Sequence, residues 1–362
     1  MKIYFNNIFN QDKNLFNDII KNIKNIIKKS QFILGKDVFS FEKKFSKYTK
    51  TKFCVSCANG TDALYIALKS LNLKSNDEVI VPAMTYVATA STVINAGAKL
   101  RLADVNLTDA NINKKDLIKK INNKTKAIIV VSLWGNCADY SEIIKLCKKK
   151  RITIIEDAAQ SIGAFDIKGR ISGSMCDISC FSFFPGKNLG AYGDAGAIVT
   201  NNKKVYDKII KLRTHGATKK FKHDMVGINS RMDTIQASVL IAKLKNINKI
   251  INLKRKIAKK YFKEIKNPKI KLFKIKQGSS FHQFVILTKR RSNFISYLKS
   301  NKIPYGFHYP YPINKLHSLR KMFKNEKYPN SERLGKECVS LPIDPNLNIS
   351  SLKKITRVLN SF

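Results

Sequence analysis

The sequence predicts an α/β protein, with a mostly parallel, doubly wound sheet followed by a smaller C-terminal α+β unit. Three observations carry this. Six short apolar runs rich in Ile and Val lie between Lys52 and Thr200, without the polar alternation of half-exposed strands, which suits a sheet covered on both faces. Amphipathic helical stretches separate several of them, and strand alternating with helix argues for parallel, doubly wound topology. After Thr200 the pattern changes to long basic helices and a short mixed tail.

In chain order, "TDALYIALKSLNL" sets Leu64, Leu68 and Leu71 at helical spacing, ahead of the strand runs "DEVIVPA" (77–83), "KLRLADV" (99–105) and "KAIIVVSLW" (126–134). "YSEIIKLCKKK" reads as the next helix, with Ile143, Ile144 and Cys147 on one face. Strands "ITIIEDA" (152–158), "ISCFSFF" (178–184) and "GAIVT" (196–200) follow. "VYDKIIKLRTHG" and the long stretch 233–265 read as helices, and "FHQFVILTKR" with "FISYLKSNKIPYGFHY" as a small mixed unit. The expected domains are 1–245 and 246–362, divided inside the long helical stretch near Asn246.

Across 362 residues, 68 basic against 25 acidic side chains give a formal charge of +43. The lysines are dispersed among Asn and Ile along the whole chain, which reads as solvated helix faces rather than a concentrated nucleic-acid patch. A basic surface still draws in anionic substrates. Seven cysteines show no framework spacing, and "CVSC" (Cys54 to Cys57) has no second C-x-x-C pair to complete a zinc site, so they read as packed thiols with no metal. No leader-like or membrane-length apolar run occurs, and the expected setting is cytoplasmic, with neither membrane nor nucleic acid as partner.

Open α/β sheets keep ligands at the carboxyl ends of their strands. Glu156 or Asp157 falls at such an end, and Ser182 lies in the strand before Lys187, which sits on a tight loop. Gly60 and Thr61 begin a helix whose free N–H groups form an anion site. "SCFSFFPGKNLGAYGDAGA" is not a P-loop, because Phe181 and Asn188 stand where Gly and Ser/Thr are required, nor a dinucleotide fingerprint, because Gly190, Gly193 and Gly196 recur every third residue. A lysine, a strand-end carboxylate and a phosphate cup are the three groups that pyridoxal phosphate (PLP) requires. Taken singly, each of these residues has an ordinary structural reading as well.

The motifs "ANGTDAL", "PAMTYVATAS", "EDAAQSIGA", "CFSFFPGKNLGAYGDAGAIVT" and "GINSRMDTIQASVL" together resemble the DegT/DnrJ/EryC1/StrS family of nucleotide-sugar aminotransferases. The resemblance runs from "FILGKDVFSFEKKF" to "GFHYPYP" and implies fold type I, the aspartate aminotransferase-like PLP-dependent transferase fold. It implies that Lys187 is the Schiff-base lysine and proton shuttle, that Asp157 pairs with the pyridine nitrogen and that Gln160 lies beside the ring hydroxyl. Gly60, Thr61 and Ser182 would hold the phosphate, and Tyr86 would stack on the ring, although its context also suits an ordinary core residue. Asn229 matches a residue reaching the neighbouring subunit's cofactor phosphate, implying a homodimer with shared active sites; it reads equally as a turn Asn before a helix.

By the same resemblance His308, with Tyr309 beside it, lies near the sugar, and the loop of His215 and His223 approaches the nucleotide; His282 and His317 read as structural. Ser132 and Trp134 replace a His and a Tyr common in relatives, leaving the packing and substrate fit at that strand end to be determined. The implied reaction passes an amino group from L-glutamate, through pyridoxamine phosphate, to a nucleotide-linked keto-sugar in amino-sugar or cell-surface polysaccharide biosynthesis. The lysine loop resembles members acting on dTDP-linked 3-keto-6-deoxyhexoses or UDP-linked 3-keto sugars more than 4-keto enzymes, and Lys187 argues against the lysine-free dehydratase branch. The alternatives are a 4-keto-sugar aminotransferase and a non-catalytic regulatory protein that binds PLP or an amino sugar.

Overall fold

A computed structural model describes residues 3–137, 140–273 and 278–362. Seven strands form the main sheet: β1 (Phe53–Cys57), β2 (Glu78–Pro82), β3 (Lys99–Ala103), β4 (Thr125–Val131), β5 (Thr153–Asp157), β6 (Ile178–Ser182) and β7 (Gly196–Thr200). Their order is β1-β7-β6-β5-β4-β2-β3. Pairs β2–β3, β2–β4, β4–β5 and β5–β6 are parallel, while β7 runs antiparallel to both β6 and β1. Two reversals leave β1 running the same way as β6, so every strand but β7 ends on one edge.

Successive strand residues point to opposite faces, and both faces are covered. Val79, Val81, Ile129 and Ile155 enter one core, while Ile80, Ile128, Val130 and Ile154 enter another on the far side. Closer to β1, Phe181 and Ala197 join a third core around Phe41 and Phe45. This is why the runs lack alternation.

Three local readings need correction. The expected strand 126–134 ends at Val131, where Leu133–Gly135 make a 3-10 turn with Trp134 at φ 59°. The run 178–184 ends at Ser182, because Phe183 turns back to bond Ala195 across the lysine loop. The stretch 233–265 is two helices, Thr234–Leu244 and Ile247–Glu264, broken at Lys245 and Asn246. β1 was absent from the predicted strands; its Cys54 and Cys57 are buried.

A hairpin, β8 (Ala217–Lys219) and β9 (Lys222–His223), follows helix Lys203–Leu212. The C-terminal sheet orders β10 (Lys271–Leu272), β11 (Phe284–Leu287) and β12 (Cys338–Leu341), all antiparallel. Its core holds Ile257 and Tyr261 of the basic helix Ile247–Glu264, Ile355 and Leu359 of helix Ile349–Asn360, and Ile3 of the N-terminal arm. Ile247 and Ile251, at the start of that basic helix, pack instead with the large sheet's third core. Among the described residues no helix is long and apolar enough to cross a membrane.

Candidate active site

A cavity of about 590 Å³ opens at the common strand edge. Gly60 and Thr61 reach it from the start of the helix after β1, Tyr86 from the loop after β2, Asp157 and Gln160 from the end of β5 and the turn beyond it, and Ser182 and Lys187 from the end of β6 and the loop beyond it. The C-terminal unit supplies His308 and Tyr309. Nine of the ten sequence-derived site residues therefore meet in one place. A second recess, of about 730 Å³, lies near Cys176, Asp177 and Asn201 and contains none of them.

Asp157 sits at the end of β5, paired with Val131 of β4 and Cys180 of β6. Its Oδ2 accepts from Thr89 Oγ1 at 2.7 Å, and its Oδ1 from the Ala159 N–H at 3.2 Å. Burial raises its pKa, opposed by those two hydrogen bonds and by Lys187. Desolvation of the Lys187 amine lowers its pKa to about 8, against the upward pull of Asp157. At that value an appreciable neutral fraction exists near pH 7, so the amine can both take up and release a proton.

The lysine loop is held closely. Lys187 N–H donates to Phe184 O at 2.8 Å, and a Cβ on Gly190 would fall 2.2 Å from Pro185 O. Asn188 Oδ1 accepts from the buried Lys254 Nζ at 2.8 Å, while its Nδ2 donates to Ser280 O at 3.0 Å. Helix Gly60–Ser70 begins beside Ser182: a Cβ on Gly60 would stand 2.6 Å from Ser182 Cβ. Asn59 Oδ1 caps that helix by accepting from Asp62 N–H at 2.8 Å.

Tyr86 is 54% exposed on the cavity wall, not a core residue. Its ring lies 5.5 Å from that of Tyr309. Gln160 Nε2 donates to Tyr309 Oη at 2.7 Å, and its Oε1 accepts from Trp134 N–H at 2.8 Å. His308 Nδ1 lies 2.8 Å from Ser340 Oγ, and desolvation together with Lys187 lowers its pKa to about 4. At neutral pH it is an uncharged hydrogen-bonding group.

Glu156 points to the other face of β5 and away from the chemistry. Ser132 and Ser172 hydroxyls donate to its Oε1 at 2.8 and 2.6 Å, and Gly173 N–H to its Oε2 at 2.8 Å. Ser132 therefore has a packing role in this chain, tying β4 to β5 through a buried carboxylate. Glu156→Ala strands these donors without water and is expected to cost about 3 kcal/mol, measured by chemical denaturation.

Asn229 is exposed, bridges to Thr214 and does not line its own chain's cavity. His215 and His223 meet at the β8–β9 hairpin, where His223 Nδ1 lies 3.0 Å from His215 O, and His317 is exposed. His282, expected to be structural only, lines the cavity beside Gln283. Sequence reasoning also passed over Thr89, Asp194 and the arm residues Phe5 and Asn6. Thr89 lies one helical turn after Tyr86 in "TYVAT", the one local signal among them.

The chain matches the DegT/DnrJ/EryC1/StrS aminotransferase family over residues 13–360. It is 37% identical over 361 residues to the UDP-2-acetamido-2-deoxy-3-oxo-D-glucuronate aminotransferase of Pseudomonas aeruginosa, covering 99% of this chain and 100% of that protein. It is 36% identical over 347 residues to the dTDP-3-amino-3,6-dideoxy-alpha-D-galactopyranose transaminase of Aneurinibacillus thermoaerophilus, with 95% of each covered. Among solved structures, S. venezuelae DesV in complex with a ketimine intermediate superposes with a TM-score of 0.96 at 29% identity, covering 99% of this chain and 98% of that one. With Lys187, Asp157 and the Gly60 helix gathered at one strand edge, and likeness over nearly its whole length, this chain belongs to the DegT/DnrJ/EryC1/StrS aminotransferase family.

Proposed function

We propose that this chain is an aminotransferase that moves the amino group of L-glutamate onto the C3 keto carbon of a nucleoside-diphosphate sugar. The observation that carries the proposal is that Lys187 and the buried Asp157 line one cavity, close enough for each charge to act on the other. The cofactor is pyridoxal phosphate, and the residues present fit it. Gly60 packs so closely on Ser182 that a Cβ there would clash, which brings the helix N-terminus and the Ser182 hydroxyl side by side at the cavity and suits a phosphate. Asp157 offers a carboxylate for a protonated ring nitrogen. When bound, PLP supplies an electron sink for the carbon that loses its proton.

The remaining work belongs to the chain's own groups. Lys187 Nζ takes the proton from the amine-bearing carbon and returns it elsewhere, helped by its lowered pKa and fixed loop. With PLP bound, Gly60, Thr61 and Ser182 would hold its phosphate, and Tyr86 and Gln160 would contact its ring. His308 and Tyr309 face the sugar. Asn229, exposed and remote from its own cavity, completes the neighbouring copy's phosphate site in a homodimer.

We place the domain division at 245/246, where helix Thr234–Leu244 gives way to the basic helix Ile247–Glu264; Ile247 and Ile251 still pack on the larger core, and the arm's Ile3 on the smaller one. The dispersed basic charge draws the anionic nucleotide sugar. The setting we propose is the cytoplasm, because seven cysteines without framework spacing suit a reducing compartment.

Titrating the pyridoxamine phosphate-loaded protein with 3-keto and 4-keto sugar nucleotides tests the reading. Return of the visible cofactor band with the 3-keto compounds is expected, and return with 4-keto compounds alone, or with none, contradicts it. Gly60→Ala forces a methyl against Ser182. It is expected to weaken PLP binding about tenfold, read by absorbance titration of the cofactor-free protein.

A further inference from the structure

Trp134 is the chain's only tryptophan. It sits at φ 59°, ψ 12°, a left-handed conformation that a bulky residue keeps only where its surroundings enforce it. Its contacts supply that enforcement. The indole Nε1–H donates to His308 O at 2.6 Å. Its backbone N–H donates to Gln160 Oε1, and Gln160 in turn donates to Tyr309 Oη. Its carbonyl accepts from Gln283 N–H at 3.3 Å, and its ring packs edge-on against Phe273 at 4.9 Å.

The indole thus grips the backbone of His308, while the backbone N–H of the same residue reaches the side chain of Tyr309 through Gln160. Trp134 itself is 5% exposed and stands behind the wall that these two present to the cavity. On the cavity wall Tyr86 packs against Tyr309, with ring centroids 5.5 Å apart. Trp134 thus backs the Tyr309 side of that ring pair by way of Gln160.

We propose that Trp134 is a positioning residue for the sugar substrate: it locks the His308–Tyr309 wall in register with Gln160, so that the sugar is seated opposite Lys187. It touches no reacting atom and acts through His308, Tyr309 and Gln160. The sugar as occupant rests on the aminotransferase reading; the locking of the wall does not.

Trp134→Phe keeps an aromatic ring and removes the indole N–H; Trp134→Tyr is the second variant should the first fail to fold. Two measurements on the PLP-loaded protein decide the matter. Hydrogen exchange in the 305–312 segment is expected to quicken about tenfold, the weight of one buried hydrogen bond, with the rest of the chain unchanged. KM for the keto-sugar nucleotide that the wild type accepts is expected to rise by a similar factor, with kcat within about threefold. Exchange unchanged in that segment, or quickened uniformly over the chain, overturns the proposal. Local quickening with an unaltered KM overturns the role in seating the sugar. If the wild type accepts no keto-sugar, the functional reading fails, while the exchange result still decides whether Trp134 locks the wall.

Discussion

Lys187→Ala is expected to lower amino transfer by roughly 10⁴-fold, the upper range for loss of a placed acid–base group. Among the described residues that line the cavity Lys187 is the one lysine, and Lys254, also brought to about pKa 8 by burial, spends its amine on Asn188. Cofactor binding should weaken less than turnover, because Gly60, Thr61, Ser182 and Asp157 remain. Single-turnover transfer from glutamate in the variant, beside an exposed control such as Lys249→Ala, measures the effect. A control loss of the same size would show that general charge, rather than the loop amine, matters.

Asp157→Asn comes second, with an expected loss of about 10³-fold in kcat. Asparagine keeps an oxygen for the Thr89 hydroxyl but removes the charge. Asp157 also holds the Lys187 pKa up against desolvation, so removing that charge moves the Lys187 midpoint below about 8. In cofactor-free protein, the pH dependence of amine labelling at Lys187, followed by peptide mass analysis, should shift to lower pH. A shift to higher pH would mean that the two groups do not sense each other as the geometry requires.

The sheet was largely legible because a buried parallel strand must be apolar on both faces, and few other elements give Ile/Val runs of that length. β1 was not: "FCVSC" is short and rich in small polar atoms, and only its antiparallel partner β7 makes it a strand. The cavity's β-edge residues were legible because each follows a strand in sequence. His282 and Gln283 were not, since their segment reaches the site through Ser280 N–H on Gly135 O, a contact between distant parts of the chain. Lys254 was hidden for a different reason. In a helix carrying lysine on nearly every face, periodicity cannot separate the one buried lysine from its exposed neighbours.

Ser132 and Trp134 show the limit from the other side. As departures from a motif they signalled a change without its content; the structure gives Ser132 to Glu156 and Trp134 to His308. A residue's departure locates a question, and its hydrogen-bond partners answer it.

In the proposed reaction glutamate nitrogen ends on a sugar ring carbon, and Lys187 moves the protons that this transfer needs. Incubating the PLP-loaded protein with glutamate carrying heavy nitrogen and a UDP- or dTDP-linked 3-keto sugar, then fragmenting the sugar nucleotide by mass spectrometry, tests it directly. Heavy nitrogen on C3 of the sugar, present with the wild type and absent with Lys187→Ala, is the predicted result. Label on C4, no label on the sugar at all, or labelling that survives Lys187→Ala would contradict it.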